Sequence, residues 1–287
     1  MTILFLHIPK TAGSFLDSQV KESKCNSKHA ISSEQAIDAI INEKLDYIAG
    51  HFVYDNIEKH LNTQKYKLVS LVRNPIDRFF SEANYHIEIL ARGEEFFRKH
   101  GGGAQKLVLK TYNCIDHERS KKERSNLEHL YNFSLIDYLA KRILSSSLQD
   151  ELRLKTPYHC SNKIKLILKQ YSFIDTVEDN GVDKLVEFIS TNSPINLDAA
   201  SKAIAFKNTS MNYIDPSYHL TTIASILRSN CSVSNLLHLI ISGIDSAFIK
   251  DKSWEFVNEY ACAKFISESK YLKAVSFDTL PQINWLT

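Results

Sequence analysis

The sequence predicts an α/β fold with a central parallel sheet and a largely helical C-terminal part. Short apolar runs alternate with amphipathic segments through the first third of the chain, which is the pattern of parallel strands joined by crossover helices. Two of these runs end in a basic turn that opens a helix, and apolar residues recur at helical spacing across 233–248. With 287 residues, 44% of them hydrophobic, we expect one well-buried core and a single domain, 1–287.

The elements of residues 1–91 follow from periodicity, capping and turn signals. Strands are expected at Ile3–Leu6, Asp46–Val53 and Lys67–Val72, where short apolar runs are bounded by turns. Helices are expected at Ser14–Lys21, at Ser33–Asn42 with Ser32 or Ser33 as N-cap, at Asp55–Leu61 and from Pro75 onward. Proline at the first position favours the start of the last of these helices.

The rest of the chain divides into two parts. Residues 92–126 contain three consecutive glycines and a charged run, so we expect a mobile loop region that either helps to hold an acidic ligand or has no role. Residues 127–287 are predicted to be mainly helical, with one further core strand near 171–177. Their helices are expected at Ser134–Leu144, Asn162–Lys169, Val182–Ser190 and over most of Asp215–Phe265.

Composition excludes several classes of protein. A formal net charge of +2 gives no global electrostatic case for nucleic-acid binding, so an anion site has to rest on local clusters. The five cysteines are scattered, without the spacing of a zinc site or a disulfide framework. No signal-peptide pattern precedes the first strand and no long apolar run occurs, so we expect a cytoplasmic protein without a transmembrane segment.

The first motif with chemical content is His7-Ile8-Pro9-Lys10-Thr11-Ala12-Gly13-Ser14, directly after the first strand. Backbone N–H groups at a helix N-terminus point outward with the positive end of the helix dipole. A phosphate or sulfate is therefore expected there, with the Lys10 ammonium and the hydroxyls of Thr11 and Ser14 around it. The alternative is an ordinary strand-turn-helix corner with an exposed lysine.

The second motif is Arg73-Asn74-Pro75-Ile76-Asp77-Arg78-Phe79-Phe80-Ser81. It places Arg73 at the carboxyl end of a buried strand, where open α/β sheets bind ligands, and opens a helix with proline. The Ser81 hydroxyl is expected to join Arg73 on a second phosphate. Arg78 is either a third cation of the site or an ion-pair partner of Asp77 and Glu82. Two anion sites on neighbouring strand ends suggest a ligand with two separate phosphate-type groups.

Together the two motifs resemble the paired signature of sulfotransferases that use 3′-phosphoadenosine 5′-phosphosulfate (PAPS). The nearest branch is the carbohydrate type, which includes the heparan and dermatan uronyl 2-O-sulfotransferases and their bacterial relatives. The resemblance is dense over residues 3–16 and 67–85. It implies a three-layer fold similar to that of P-loop nucleotide kinases, with residues 1–91 as the PAPS-binding core.

The resemblance implies the following cofactor contacts. The 5′-phosphosulfate is held by Pro9, Lys10, Thr11, Ala12, Gly13, Ser14 and Phe15, and the 3′-phosphate by Arg73 and Ser81. The segment Phe206-Lys207-Asn208-Thr209-Ser210 is similar to a basic segment that closes over the nucleotide in relatives. Lys207, Asn208 and Ser210 are therefore expected to contact the nucleotide.

The resemblance also implies catalytic residues. In the 2-O-sulfotransferase branch a His-Gly-His segment supplies the base, and the corresponding stretch here is Ala49-Gly50-His51, which keeps only the second histidine. His51 would accept the proton of the attacking hydroxyl, since a neutral imidazole is available near pH 7. Glu82, His86 and Glu88 are the substitutes if His51 is not the base.

The chemistry implied is in-line transfer of a sulfuryl group from PAPS to a hydroxyl of a sugar, glycan or glycolipid acceptor. Lys10 would stabilise the leaving group, adenosine 3′,5′-bisphosphate. No metal is expected, because the transferred group carries less charge than a phosphoryl group.

Two alternatives stay open. One is a P-loop phosphotransferase or kinase, although Gly-x-x-x-x-Gly-Lys-[Ser/Thr] is absent and the lysine here precedes the glycine. The other is a non-catalytic nucleotide-binding module that keeps the anion site without turnover. Nothing in the sequence selects a particular acceptor or oligomeric state.

Overall fold

The computed structural model of the protein describes residues 1–30, 32–61, 65–100, 105, 108–109, 111–112, 139–144, 146–197 and 212–273. The predicted nucleotide contacts Lys207, Asn208 and Ser210 lie outside these residues, as does most of the 92–126 region.

A five-stranded, all-parallel sheet forms the centre of the fold. Its strands are β1 (Thr2–Leu6), β2 (Ser27–Ala30), β3 (Tyr47–Gly50), β4 (Tyr66–Val72) and β5 (Phe173–Thr176). They lie in the order β2-β3-β1-β4-β5, so β1 is central. Its last residue, Leu6, is level with Gly50 of β3 and Ser70 of β4, which brings the ends of three strands to one edge.

Helices follow every strand in the described parts of the chain. In the first hundred residues they are α1 (Gly13–Glu22), α2 (Ser33–Asn42), α3 (Tyr54–Ile57, continued by a 3₁₀ turn at Glu58–His60), α4 (Pro75–Ala91) and α5 (Glu94–His100). Farther along they are α6 (Leu139–Ile143), α7 (Ser146–Arg153), α8 (Pro157–Leu168), α9 (Gly181–Asn192), α10 (Pro216–Asn230), α11 (Ser232–Ile241), α12 (Ser246–Ile249), α13 (Trp254–Glu268) and α14 (Lys270–Lys273).

Both faces of the sheet are covered, because successive side chains of a strand point to opposite faces. On one face, residues such as Leu4 and Ile48 pack with α2, α3, α4 and the C-terminal helices. On the other face, residues such as Phe5 and Val69 pack with α1 and α9. The molecule is therefore an α/β protein whose helices lie on both sides of a parallel sheet, an arrangement compatible with a three-layer fold.

The strand order defines where a ligand is expected. From β1 the chain runs to β2 and back to β3 on one side of the sheet, then crosses β1 to continue through β4 to β5 on the other. The helices that follow β1 and β4 accordingly lie on opposite faces, α1 on one and α4 on the other. The crevice at the carboxyl ends of β1 and β4 is thus a topological switch point, where open α/β sheets bind their ligands.

Most predicted elements of the first third are present, with three differences. The strand β2 was not expected, because its sequence Ser-Lys-His-Ala is polar and lies at the sheet edge. The strand predicted at 46–53 covers only Tyr47–Gly50. Residues 94–100, within the predicted loop region, form α5, in which Glu94 and Arg98 pair at i,i+4.

Two expectations from composition concern membrane-spanning helices and the state of the cysteines. Within those ranges, no helix is long and apolar enough to cross a membrane. Among the cysteines that fall inside them, Cys25, Cys160 and Cys262 are free thiols.

Candidate functional site

The β1–α1 corner, residues 7–14, comprises the loop after β1 and the first two residues of α1. Its backbone is left-handed at Lys10 and Ala12, with φ values of 67° and 66°, a conformation that costs a non-glycine residue roughly 1–2 kcal/mol. Ala12 is the N-cap of α1 and has no side-chain oxygen to accept a hydrogen bond from the first turn. Since the first N–H groups of a helix have no intrahelical partner, this corner directs uncapped donors toward the sheet edge.

Gly13 is required by close packing against His7. A Cβ at position 13 would lie 2.0 Å from two ring atoms of His7, so only glycine fits. The His7 ring is buried and stacks between Phe5 and His51, with centroid distances of 5.4 and 4.6 Å. Burial, and next the nearby His51, lower its pKa to about 3, so His7 is a neutral packing residue that supports the corner.

The other predicted residues of this corner differ in what they offer a ligand. The Thr11 hydroxyl is buried and donates to the Ile8 carbonyl over 2.7 Å, so it stabilises the loop. Ser14 is exposed at the start of α1, and Pro9 is half-buried. Phe15 packs its ring in the core against the sheet, and its N–H donates to the Ala12 carbonyl.

The Lys10 side chain turns toward α4. Its Nζ lies 4.2 Å from the centroid of the Tyr85 ring, a cation–π contact that sequence reasoning missed. Burial lowers the pKa of Lys10, Arg73 lowers it further, and Glu82 and Glu88 oppose both effects. Lys10 is therefore a half-buried cation between α4 and the switch point.

The second motif forms the β4–α4 corner, residues 73–78. The Arg73 guanidinium donates through Nη1 to the Lys10 carbonyl over 3.2 Å, and its Nε lies 3.9 Å from Glu178. Burial raises the pKa of the Glu178 carboxyl, which lies two residues past the end of β5 and also accepts from the Asn74 N–H. Glu178 was missed, although its position just past a predicted strand end was a signal.

Other residues of the β4–α4 corner have structural contacts. The Asn74 side chain accepts from the N–H of Ile76 over 2.9 Å and donates to the Phe265 carbonyl over 2.8 Å. Asp77 accepts from the Ser269 hydroxyl and the Lys270 N–H, which joins α4 to the C-terminal helices.

Of the two roles considered for Arg78, the structure has the ion pair, since Arg78 lies 2.8 Å from Glu82. Ser81, two turns into α4, is buried.

His51 directly follows β3. Its Nδ1 lies 2.9 Å from the His7 carbonyl oxygen, which can only accept, so Nδ1 carries the proton and Nε2 is left as the basic nitrogen. Burial lowers the pKa of His51, the hydrogen bond to His7 opposes this, and Arg142 lowers it further. The imidazole is thus neutral near pH 7 and holds the tautomer that a general base needs. Arg142, on α6, donates to the His51 carbonyl and was not anticipated.

The three alternative bases lie on α4, on the side that Lys10 faces. Glu82 is buried and paired with Arg78, and burial raises its pKa. His86 is buried beside Thr111, at 3.0 Å from its hydroxyl, and burial lowers its pKa to about 4. Glu88 pairs with Arg92. His7 lies near both His51 and Lys10, since both residues lower its pKa.

The corners therefore bring together Lys10, Arg73 and Tyr85, and the His51 ring stacks on His7 of the β1–α1 corner. Among the residues that the structure describes, no group of three or more His, Cys, Asp or Glu side chains is arranged to hold a metal ion. Comparisons with protein-family models, with curated proteins and with solved structures find no match to this chain.

Proposed function

We propose that this protein is a PAPS-dependent sulfotransferase that transfers a sulfuryl group to a hydroxyl of a carbohydrate or glycolipid-type acceptor. The observation that carries the proposal is the meeting of two basic strand ends at the switch point. The Arg73 guanidinium, after β4, lies 3.2 Å from the Lys10 carbonyl, after β1. A ligand bound in this crevice meets two cations from separate motifs, which suits a donor with two separate phosphate groups.

The β1–α1 corner suits the 5′-phosphosulfate. Its uncapped helix start provides backbone donors, and the half-buried Lys10 ammonium is placed to stabilise negative charge as the bond to sulfur breaks. Ser14 adds an exposed hydroxyl at the helix start. In this proposal Thr11 acts through the loop it stabilises, because its hydroxyl already donates to the Ile8 carbonyl.

The 3′-phosphate is assigned to Arg73, joined by Ser81. Arg73 approaches Glu178 only at 3.9 Å, which leaves the guanidinium able to exchange a weak ion pair for a phosphate. In the proposal, the nucleotide site is completed by Lys207, Asn208 and Ser210. This assignment rests on the resemblance. The proposal also includes a fold similar to that of P-loop nucleotide kinases.

His51 is proposed as the general base. Its protonated Nδ1 is held by the His7 carbonyl, so Nε2 can accept the proton of the attacking hydroxyl. Glu82 and His86 suit this role less well, because both are buried and already paired with neighbouring side chains. The proton passes to His51 as the acceptor oxygen bonds to sulfur and the bisphosphate leaves.

Calorimetric titration tests the proposal. Adenosine 3′,5′-bisphosphate is expected to bind at least about tenfold tighter than adenosine 5′-phosphate, since one charge-assisted contact to the 3′-phosphate contributes about 1.5–3 kcal/mol. Arg73→Gln should remove this preference, whereas Arg98→Gln, on the exposed side of α5, should keep it. Preferential binding of ATP with magnesium would instead favour a phosphotransferase and overturn the proposal.

A further inference from the structure

Beside His51 lies a second pair of side chains to which neither motif assigns a role. Asp17, on the second turn of α1, has its Oδ2 3.1 Å from Nδ1 of His29 on β2. The His29 ring meets the His51 ring edge to face, with 6.1 Å between centroids. Asp17, His29 and His51 therefore form a continuous row across three elements of the fold.

The sheet register explains why His29 reaches this place. His29 of β2 is level with Ala49 of β3, two residues before His51, so both histidines lie at the carboxyl ends of adjacent strands. The His29 side chain, in the middle of the row, is 43% exposed, whereas Asp17, whose side chain is 23% exposed, and His51 are half-buried. His29 is thus the member of the row most open to solvent.

The charged and titratable groups that face His51 come from four elements. His7 stacks on it from the end of β1, His29 contacts it from β2, Asp17 acts from α1 and Arg142 from α6. Asp17 is the one acidic group among these four, and Arg142 is a permanent cation. The charge state of the Asp17–His29 pair is therefore the part of this environment that changes near neutral pH.

We propose that Asp17 and His29 form a positioning pair for His51, in which Asp17 holds the His29 ring against His51 and the charge of the pair controls when His51 takes up a proton. The catalytic meaning of this pair rests on the proposed function of His51 as base; the coupling between the two histidines does not.

The direction of the coupling follows from the contacts. The hydrogen bond to Asp17 raises the pKa of His29, whereas burial lowers that of His51. As pH falls, His29 is protonated first, and its positive charge then opposes protonation of His51. The Nε2 of His51 consequently stays available as an acceptor at a lower pH than it would without the pair.

Histidine ring resonances, followed by NMR from pH 4 to 9 on the full-length protein, test this coupling. In His29→Gln the pKa of His51 should rise by about half a unit or more, because a cation is removed and Asp17 loses its positive partner. In Asp17→Asn the pKa of His29 should fall by a similar amount. His159→Gln, an exposed histidine on α8, should change neither value.

An unchanged His51 titration in a folded His29→Gln protein would overturn the proposal. If His29→Gln does not fold, an unchanged His29 titration in Asp17→Asn overturns it equally. A role of the pair in folding alone would lower thermal stability without moving either pKa.

The kinetic readout is the pH profile of sulfuryl transfer from PAPS. In His29→Gln the acid limb of kcat/KM should move to higher pH by the shift seen in the His51 titration, with the high-pH plateau retained. A shifted His51 titration with an unmoved acid limb would overturn the catalytic part of the inference. A wild-type protein without transfer activity would overturn the proposed function, while the titrations would still decide whether the pair controls His51.

Discussion

The two strand-end corners of this molecule look alike in sequence and differ in how their backbone donors are used. Each follows a central strand, carries a lysine or an arginine and opens a helix. In the β4–α4 corner, Glu178 accepts from the Asn74 N–H, the Asn74 side chain accepts from Ile76, and Pro75 has no N–H at all. In the β1–α1 corner, Ala12 has no side-chain acceptor for the first turn of α1.

This difference separates two ways of binding an anion. The backbone donors of the β4–α4 corner have protein partners, so an anion there would be bound by side chains such as that of Arg73. The β1–α1 corner keeps a left-handed backbone at Lys10 and Ala12, at a cost in backbone strain, and gives the first turn of α1 no side-chain cap. A site that holds strain and lacks a side-chain cap gains most from a ligand, whereas the β4–α4 corner contributes mainly to stability.

The largest effect on turnover is expected for Lys10→Ala, in the β1–α1 corner. Loss of the ammonium should lower turnover about 10²–10³-fold, or about 3–4 kcal/mol, because in the proposed mechanism it stabilises charge that develops on the leaving group. Stability should change by no more than about 1 kcal/mol, since among the described residues Lys10 forms no ion pair and the variant loses one cation–π contact with Tyr85, worth about 0.5–1 kcal/mol. Transfer of labelled sulfate from PAPS and urea unfolding give the two values.

Lys21→Ala is the matched control, because Lys21 is exposed in the last turn of α1, the helix that follows Lys10. It should affect neither turnover nor stability. Near-normal sulfation by a folded Lys10→Ala protein would contradict both the leaving-group role of Lys10 and the proposal that the β1–α1 corner takes part in the reaction.

The corners could be predicted from the sequence because their signals are local. The start of α4 follows from Pro75, that of α2 from the Ser32 cap, and β1 and β4 from their apolar runs. Placing Lys10, Arg73 and His51 at strand ends required only the order of strands and turns. The roles of the backbone donors at the two corners could not be predicted, because their partners come from distant parts of the chain.

The residues that were missed share this dependence on tertiary contact. Glu178 lies 104 positions from Asn74, and Arg142 lies 91 positions from His51. His29 was missed for another reason: β2 is a polar edge strand that is defined by its pairing with β3, not by its own pattern. Because β2 was not predicted, the Asp17–His29 pair beside the proposed base could not be found from the sequence.

A smaller effect is expected for Asn74→Ala, in the β4–α4 corner. The variant loses a helix cap, about 1 kcal/mol, and leaves the Phe265 carbonyl without its donor, about 1–2 kcal/mol more, so unfolding free energy should fall by about 2–3 kcal/mol. Urea denaturation measures this loss. Ser253→Ala removes a cap at the exposed start of α13 and should cost about 1 kcal/mol.

Equal losses in the two variants would mean that the bond from Asn74 to Phe265 adds nothing and that the β4–α4 corner is no more closed than an ordinary helix start.

The smallest effect is expected for Ala12→Gly, and its sign matters more than its size. Glycine removes the cost of a left-handed φ of 66° but gives the unfolded chain more freedom, so a net gain of about 0.5–1 kcal/mol in unfolding free energy is expected. Lys24→Gly, at φ 55° beyond the end of α1, should gain a similar amount.

The two glycine variants should differ in their affinity for adenosine 3′,5′-bisphosphate. Lys24→Gly should bind it as the wild type does, because Lys24 lies at the far end of α1. Ala12→Gly should bind it more weakly despite its greater stability, since a more flexible corner has to be ordered by the ligand. If both variants bind equally well, the left-handed backbone at Ala12 is only a consequence of packing Gly13 against His7 and does not prepare the corner for an anion.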